Sequence, residues 1–170
     1  MRRNCPRAED RSRRGPQVAA RDRPGQAASA QMKMYLLDNN VLSELWKHSP
    51  DPKVEAWFAS KPEWFLPVPV IAEIQEGAEA TGSATRRAQI NAKLDEFLRL
   101  HNALVLPWDA DTARTWGRLR HSPKVKRQPQ PLWDSLIDAM AVRYGVVVAT
   151  RNRGDFRHAD TFSPWGYEPS

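Results

Sequence analysis

The sequence predicts an α/β fold: a mostly parallel central sheet with helices on both faces. Two observations carry this. Short apolar runs alternate with stretches of helical period from residue 34 onward, as expected when each strand is followed by a helix that returns the chain to the same sheet. The run Val146-Val147-Val148-Ala149-Thr150, bounded by Gly145 and by Arg151-Asn152-Arg153-Gly154, has the β-branched composition of a strand. Right-handed crossovers between parallel strands place all their carboxyl ends along one edge, where ligands collect in open α/β sheets.

Residues 1–33 differ from the rest. They hold nine basic and three acidic side chains, few large apolar ones and scattered Pro and Gly, whereas residues 34–170 hold 17 of each sign. The net charge of +6 therefore belongs to this segment. Its composition cannot bury enough apolar surface to offset the entropy of ordering, so it is expected to be a disordered basic extension. A start at Met32 or Met34, or an arm that touches a polyanion, are the two alternatives it leaves open. Residues 34–170 are the length of one domain with a single core. No stretch resembles a signal peptide or a membrane span, so a soluble, cytoplasmic chain without membrane partners is expected. The one cysteine, Cys5, excludes an intrachain disulfide and a Cys-rich zinc cluster.

Tyr35-Leu36-Leu37 reads as the first strand, and Val41, Leu42 and Leu45 set the period of the helix after it. Asp51-Pro52 opens a second helix through Val54, Trp57 and Phe58, with proline early, where a missing amide hydrogen costs nothing. Residues 64–68 read as a strand, short or at a sheet edge because of Pro67 and Pro69. Val70, Ile71, Ile74 and Ala78 mark a third helix, which Gly77 weakens and Gly82 ends. Residues 85–100 form a longer amphipathic helix with Ile90, Leu94, Phe97 and Leu98 as its stripe. A strand at 103–106 and a helix at 109–119 follow. Residues 121–131 have no apolar period and read as a loop; its basic residues Lys124, Lys126 and Arg127 fit a solvated face or a phosphate contact. A helix at 132–144, the strand at 146–150 and a short strand near Thr161-Phe162 complete the chain.

Asp38 falls at the carboxyl end of the first strand. It is read either as the cap of the next helix or as part of a site at the sheet edge. Glu73 and Asp134 lie at the beginnings of two further helices directed at the same edge. Asp134 and Asp138, at i and i+4, share a helix face, and a cation would relieve their repulsion; an exposed acidic pair at a helix start is the alternative. Oxygen ligands without Cys or His clusters suit Mg²⁺, or Mn²⁺, rather than Zn²⁺. His48, His101, His121 and His158 are scattered, so they are expected at the surface, and no Ser/His/Asp or Cys/His arrangement is evident.

Four segments, in order, closely resemble the PIN-domain ribonucleases, in particular the VapC-type toxins of toxin–antitoxin pairs and their FitB-like relatives. They are Leu36-Leu37-Asp38-Asn39-Asn40-Val41-Leu42-Ser43-Glu44, Val70-Ile71-Ala72-Glu73-Ile74, Asp134-Ser135-Leu136-Ile137-Asp138-Ala139-Met140-Ala141, and Thr150-Arg151-Asn152-Arg153-Gly154-Asp155-Phe156. The resemblance runs from Met34 to Pro164-Trp165 and implies a PIN-like three-layer sandwich over residues 34–170. It implies that Asp38, Glu73 and Asp134 form the acidic metal-binding core, that Asn40 orients the first carboxylate and that Thr150 supplies a hydroxyl. Many relatives carry an acid where this chain has Asn152, so either Asn152 or Asp155 fills the fourth position. Asp138 stands where relatives usually have a small residue and is a secondary candidate.

The implied activity is Mg²⁺-dependent endoribonucleolytic hydrolysis of RNA by a metal-activated water, with a cognate antitoxin as inhibitor and a homodimer as assembly. Asn152 also fits a catalytically impaired PIN domain that binds RNA or antitoxin. A phosphohydrolase with an aspartyl nucleophile after the first strand ranks last, because it commonly needs an acid where Asn40 stands.

Overall fold

The computed structural model describes residues 33–169. The expected basic extension therefore lies outside the described residues, apart from Lys33. Strands β1 (Met34–Leu37), β2 (Glu63–Pro67), β3 (Val105–Leu106), β4 (Val147–Ala149) and β5 (Thr161–Phe162) form one sheet, every neighbouring pair parallel, in the order β3-β2-β1-β4-β5. Consecutive strand residues point to opposite faces, yet Leu36 and Leu37 are both 0% exposed, so both faces of the central strand are covered. Each such leucine contributes roughly 1.5 to 3 kcal/mol of burial. Leu36 stands between Phe65 of β2 and Val148 of β4 in register, which makes β1 the axis of the core.

Helix α1 (Asn39–Leu45) begins as β1 ends, with Asp38 as its N-cap. Buried Glu44 then ties α1 to α2 (Pro52–Ala59), accepting the Asp51 amide at 3.0 Å while Lys47 donates to its other oxygen at 2.7 Å. Asp51 caps α2, with Pro52 at the first helical position. Strand β2 runs directly into α3 (Val68–Ala80). Gly82, at φ +66°, supplies the left-handed turn that separates α3 from α4 (Ala84–His101). Helix α5 (Ala110–Arg120) is capped by Asp109, whose carboxylate accepts the Thr112 amide at 2.7 Å. Helix α7 (Leu132–Tyr144) ends at Gly145, at φ +67°, a left-handed C-terminal stop.

Two expected elements need correction, and the alternatives left open for the second strand resolve to one. Strand β2 is short but interior, flanked by β1 and β3. Pro67 is tolerated because it is the last residue of the strand, paired with Leu106 at the ladder's end, and its missing amide hydrogen interrupts no further bond. Strand β3 keeps only two residues, since 102–104 wind into a 3-10 turn. Part of the expected loop at 121–131 is a helix, α6 (Pro123–Arg127), capped by Ser122, whose Oγ accepts the Val125 amide at 3.3 Å. The Ser-Pro start was the signal for it.

His101 is not a free surface residue. Its ring lies 4.6 Å from that of Phe97 and 5.2 Å from that of Trp64, extending an aromatic cluster that includes Trp46 and Phe58. A second cluster, Tyr35, Trp57 and Phe162, with centroids 5.4 to 5.7 Å apart, binds β1, α2 and β5 together. Among the described residues no helix is long and apolar enough to cross a membrane.

Candidate active site

With the order β3-β2-β1-β4-β5, successive connections leave β1 in one direction toward β2 and β3 and in the other toward β4 and β5. The junction of β1 and β4 is thus the switch point of the sheet, where a crevice opens beyond the carboxyl ends. Asp38 and Thr150 are the residues that follow these two strands. The Asp38 amide donates to the Ala149 carbonyl at 3.1 Å, which holds the two chain ends together.

Side chains close the same junction. Asp38 Oδ1 accepts the Asn39 amide at 2.7 Å, so the residue does cap α1. Its Oδ2 accepts the Thr150 hydroxyl and the Asn40 side-chain amide, each at 2.6 Å. Asn40 Nδ2 also reaches Thr150 Oγ1 at 3.1 Å, and Asn40 Oδ1 accepts the Arg151 amide at 3.1 Å. The capping and site readings of Asp38 are therefore compatible. Thr150, 0% exposed, is fully used: it donates to Asp38 and accepts from Asn40 and from the Asn152 amide at 3.0 Å.

Burial raises Asp38 above the usual carboxylate range, against the opposing effect of its three donors, and the charge of Asp155 adds to the rise. Glu73 on α3 is raised by burial and by the charges of Asp38 and Glu76, while the Asn39 side chain opposes the shift. Asp134, in the first turn of α7, is pushed up to about 7 by burial and then by the charges of Asp38, Asp155 and Glu73. Four acids far apart in sequence thus act on one another electrostatically. The helices carrying two of them are joined where the Trp133 indole donates to Glu76 at 2.8 Å, one turn from Glu73 and beside Asp134.

This coupling is through charge rather than through shared ligating contact. Among the described residues, no three of His, Cys, Asp and Glu are gathered closely enough to hold a metal ion as the side chains stand. The donor set nevertheless fits one chemically: oxygen atoms only, mutually repelling, partly desolvated, with one proton poised near neutrality. Gathering them would take side-chain rotation, for which Glu73, with three torsions, has the greatest freedom. Of the two candidates for a fourth position, Asp155 is the one whose charge reaches Asp38 and Asp134. Exposed Asn152 contributes backbone bonds, its amide to Thr150 and its carbonyl to the Asp155 amide at 3.0 Å.

Asp138 does not join Asp134. It is 1% exposed and accepts five donors: the amides of Arg157, His158 and Ala159, the Gln130 side chain, and His158 Nδ1 at 2.9 Å. The shared-cation reading of the i, i+4 pair is corrected accordingly: the backbone after Asp155 satisfies Asp138. His158 Nε2 in turn meets Ser122 Oγ at 2.9 Å, so a Ser–His–Asp series exists after all, assembled from segments the sequence keeps far apart. The Ser122 oxygen also accepts the Val125 amide at 3.3 Å as the cap of α6. Sequence reasoning also missed Asn39, whose side chain accepts the Ser43 hydroxyl at 3.0 Å beside Glu73.

A groove of about 530 Å³ leads away from the acids between α1, α3 and α4. Asn39 and Glu73 line it together with apolar Trp46 and Ile90 and the cations Arg86 and Lys93.

Residues 35–161 match the PIN domain family. The chain belongs to the PIN-domain family. As a PIN domain it is 35% identical over 137 residues to the VapC ribonuclease Y4jK of Sinorhizobium fredii, covering 78% of this chain and 98% of that one. It is 30% identical to the toxin FitB of Neisseria gonorrhoeae, over 78% of this chain and 99% of the relative. The crystal structure of FitAcB from Neisseria gonorrhoeae superposes with a TM-score of 0.66 at 28% identity, over 78% of this chain and 99% of that chain. The α/β architecture with an all-parallel five-stranded sheet is thus that of the PIN fold.

Proposed function

We propose that this PIN domain is an endoribonuclease toxin that hydrolyses RNA phosphodiester bonds with Mg²⁺, Mn²⁺ serving in its place, and is silenced by a cognate antitoxin. One observation carries the reading: the charges of Asp38, Glu73 and Asp155 all bear on Asp134 at the switch point of the sheet. The likeness to a VapC ribonuclease and to the FitB toxin supports it.

In this proposal Asp38, Glu73 and Asp134 hold the ion, with Asp155 completing the acidic ring. Mg²⁺ held by these residues would supply Lewis acidity toward water and the phosphate. The protein's own part is orientation and proton control. Thr150 and Asn40 fix one oxygen of Asp38, and the Asn39 amide fixes the other, so its carboxylate enters the site in one pose. Asp134, raised by burial first and then by its acidic neighbours, would give up its proton to hold a cation. Arg151, anchored over the Trp165 ring at 5.5 Å, and Arg153 lie on the segment after β4, where cations would meet the RNA backbone.

The groove beside Glu73 suits an antitoxin segment, with apolar walls for its body and a carboxylate end for a basic side chain. Pairing with a second copy belongs to the same proposal. The test is incubation of the purified full chain with total RNA, with Mg²⁺ and with EDTA. Cleavage that needs Mg²⁺ and stops with EDTA is the expected result. RNA binding without cleavage would instead establish the impaired module, for which the Asn152 substitution speaks. Turnover of small phosphate esters alone would establish the aspartyl phosphohydrolase.

A further inference from the structure

The most heavily bonded carboxylate among the described residues lies outside the acidic cluster. Asp138 Oδ1 accepts the amides of His158 and Ala159 at 3.3 and 2.7 Å; Oδ2 accepts the Arg157 amide at 3.3 Å, Gln130 Nε2 at 3.2 Å and His158 Nδ1 at 2.9 Å. Three successive backbone amides therefore close around one carboxylate. His158 thus stands between two oxygens, with Nδ1 against Asp138 Oδ2 at 2.9 Å and Nε2 against Ser122 Oγ at 2.9 Å. Desolvating a charge is costly, and an apolar side chain would fill the space without that cost. What the carboxylate adds is geometry.

We propose that Asp138 is a positioning residue for the acidic site: by gripping the chain at 157–159 it fixes the turn bearing Asp155 onto the helix bearing Asp134. This rests on the proposed metal site. Asp134 and Asp138 lie four residues apart on α7, a rigid spacing of roughly 6 Å along the axis. Asp155 ends the 3-10 turn 153–155, two residues before the first amide held by Asp138. The placement of Asp155 relative to Asp134 is thus set by a single helix instead of by a free loop. The Gln130 and Ser122 bonds extend the grip to the segment before α7, where α6 places Lys124, Lys126 and Arg127.

The test compares the full-length protein with three variants by Mn²⁺ titration in the absence of RNA, read by the electron paramagnetic resonance of free Mn²⁺. Circular dichroism confirms folding at the titration temperature. Asp138→Asn sets an amide group against amide donors and is expected to weaken Mn²⁺ binding about tenfold or more, in line with losses from removing an outer hydrogen-bond partner. It is also expected to lower kcat for RNA with KM within about twofold. His158→Asn keeps a nitrogen in place of Nδ1 and should bind Mn²⁺ within about threefold of the parent, whereas His158→Gln, whose nitrogen replaces Nε2, should fall between the two. A folded Asp138→Asn protein that binds Mn²⁺ like the parent overturns the proposal. Should that variant fail to fold, equal binding by His158→Gln and the parent overturns it. A parent that binds no Mn²⁺ overturns the metal site itself, and this inference with it.

Discussion

Asp38→Asn is expected to slow RNA cleavage by about a thousandfold or more while the domain remains folded, a loss of about 4 kcal/mol of transition-state stabilisation. The two halves of this expectation have separate causes. Folding survives because asparagine is as good an N-cap as aspartate, so the Asn39 amide keeps an acceptor at the start of α1. Removing a buried, raised carboxylate from beside Asp155 and Glu73 also relieves repulsion within the folded protein. Cleavage is lost because an amide brings no negative charge to a divalent ion and sets its NH₂ against one of the donors Asn39, Asn40 and Thr150. Single-turnover cleavage, with circular dichroism on the same samples, checks both halves.

The second large effect is on pH. In the proposed site, cation binding requires Asp134 without its proton, and that carboxyl is raised to about 7. Mn²⁺ affinity should therefore fall about tenfold for each pH unit below 7 and level off above it, with a proton released on binding at pH 6. Asp134→Asn removes the proton-linked step and flattens this slope along with lowering affinity. Calorimetry in buffers of different ionisation heat measures both.

The same carboxyl has an unusual sign in stability. Its pKa is higher folded than unfolded, so between about pH 4 and 7 the folded state holds more protons and this group's contribution falls as pH rises. In metal-free protein, Asp134→Asn should accordingly raise the melting temperature at pH 8 and leave it nearly unchanged at pH 4.

What could be read from the sequence was whatever depends on neighbours along the chain. The alternation of β-branched runs with helical stripes announced the parallel sheet, and the strand-to-helix passage at Leu37-Asp38-Asn39 marked its carboxyl edge, because both signals lie within a few residues. Helix α7 was expected over its observed bounds, stopped by the left-handed Gly145. Long-range pairings were out of reach. Nothing near Asp138 announces that its partners are the amides of 157–159, and nothing near His158 points to Ser122 across 36 residues. The i, i+4 spacing of Asp134 and Asp138 suggested a shared ion, whereas the fold sends one acid to the crevice and the other to the loop behind it. Pro67 misled for a related reason. A short strand or an edge position was the inference from sequence; the strand is interior and ends where the proline stands. In α6, the Ser122-Pro123 start outweighed the absence of an apolar period.

The account stands on the convergence of carboxylates from β1, α3 and α7 on one divalent ion. Anomalous diffraction from crystals of the protein grown with Mn²⁺ tests this most directly. The account predicts a peak at the β1–β4 crevice, with oxygens of Asp38 and Asp134 as ligands and Glu73 turned toward it. A peak elsewhere, or a saturating soak that leaves those three carboxylates apart with no ion among them, would contradict it.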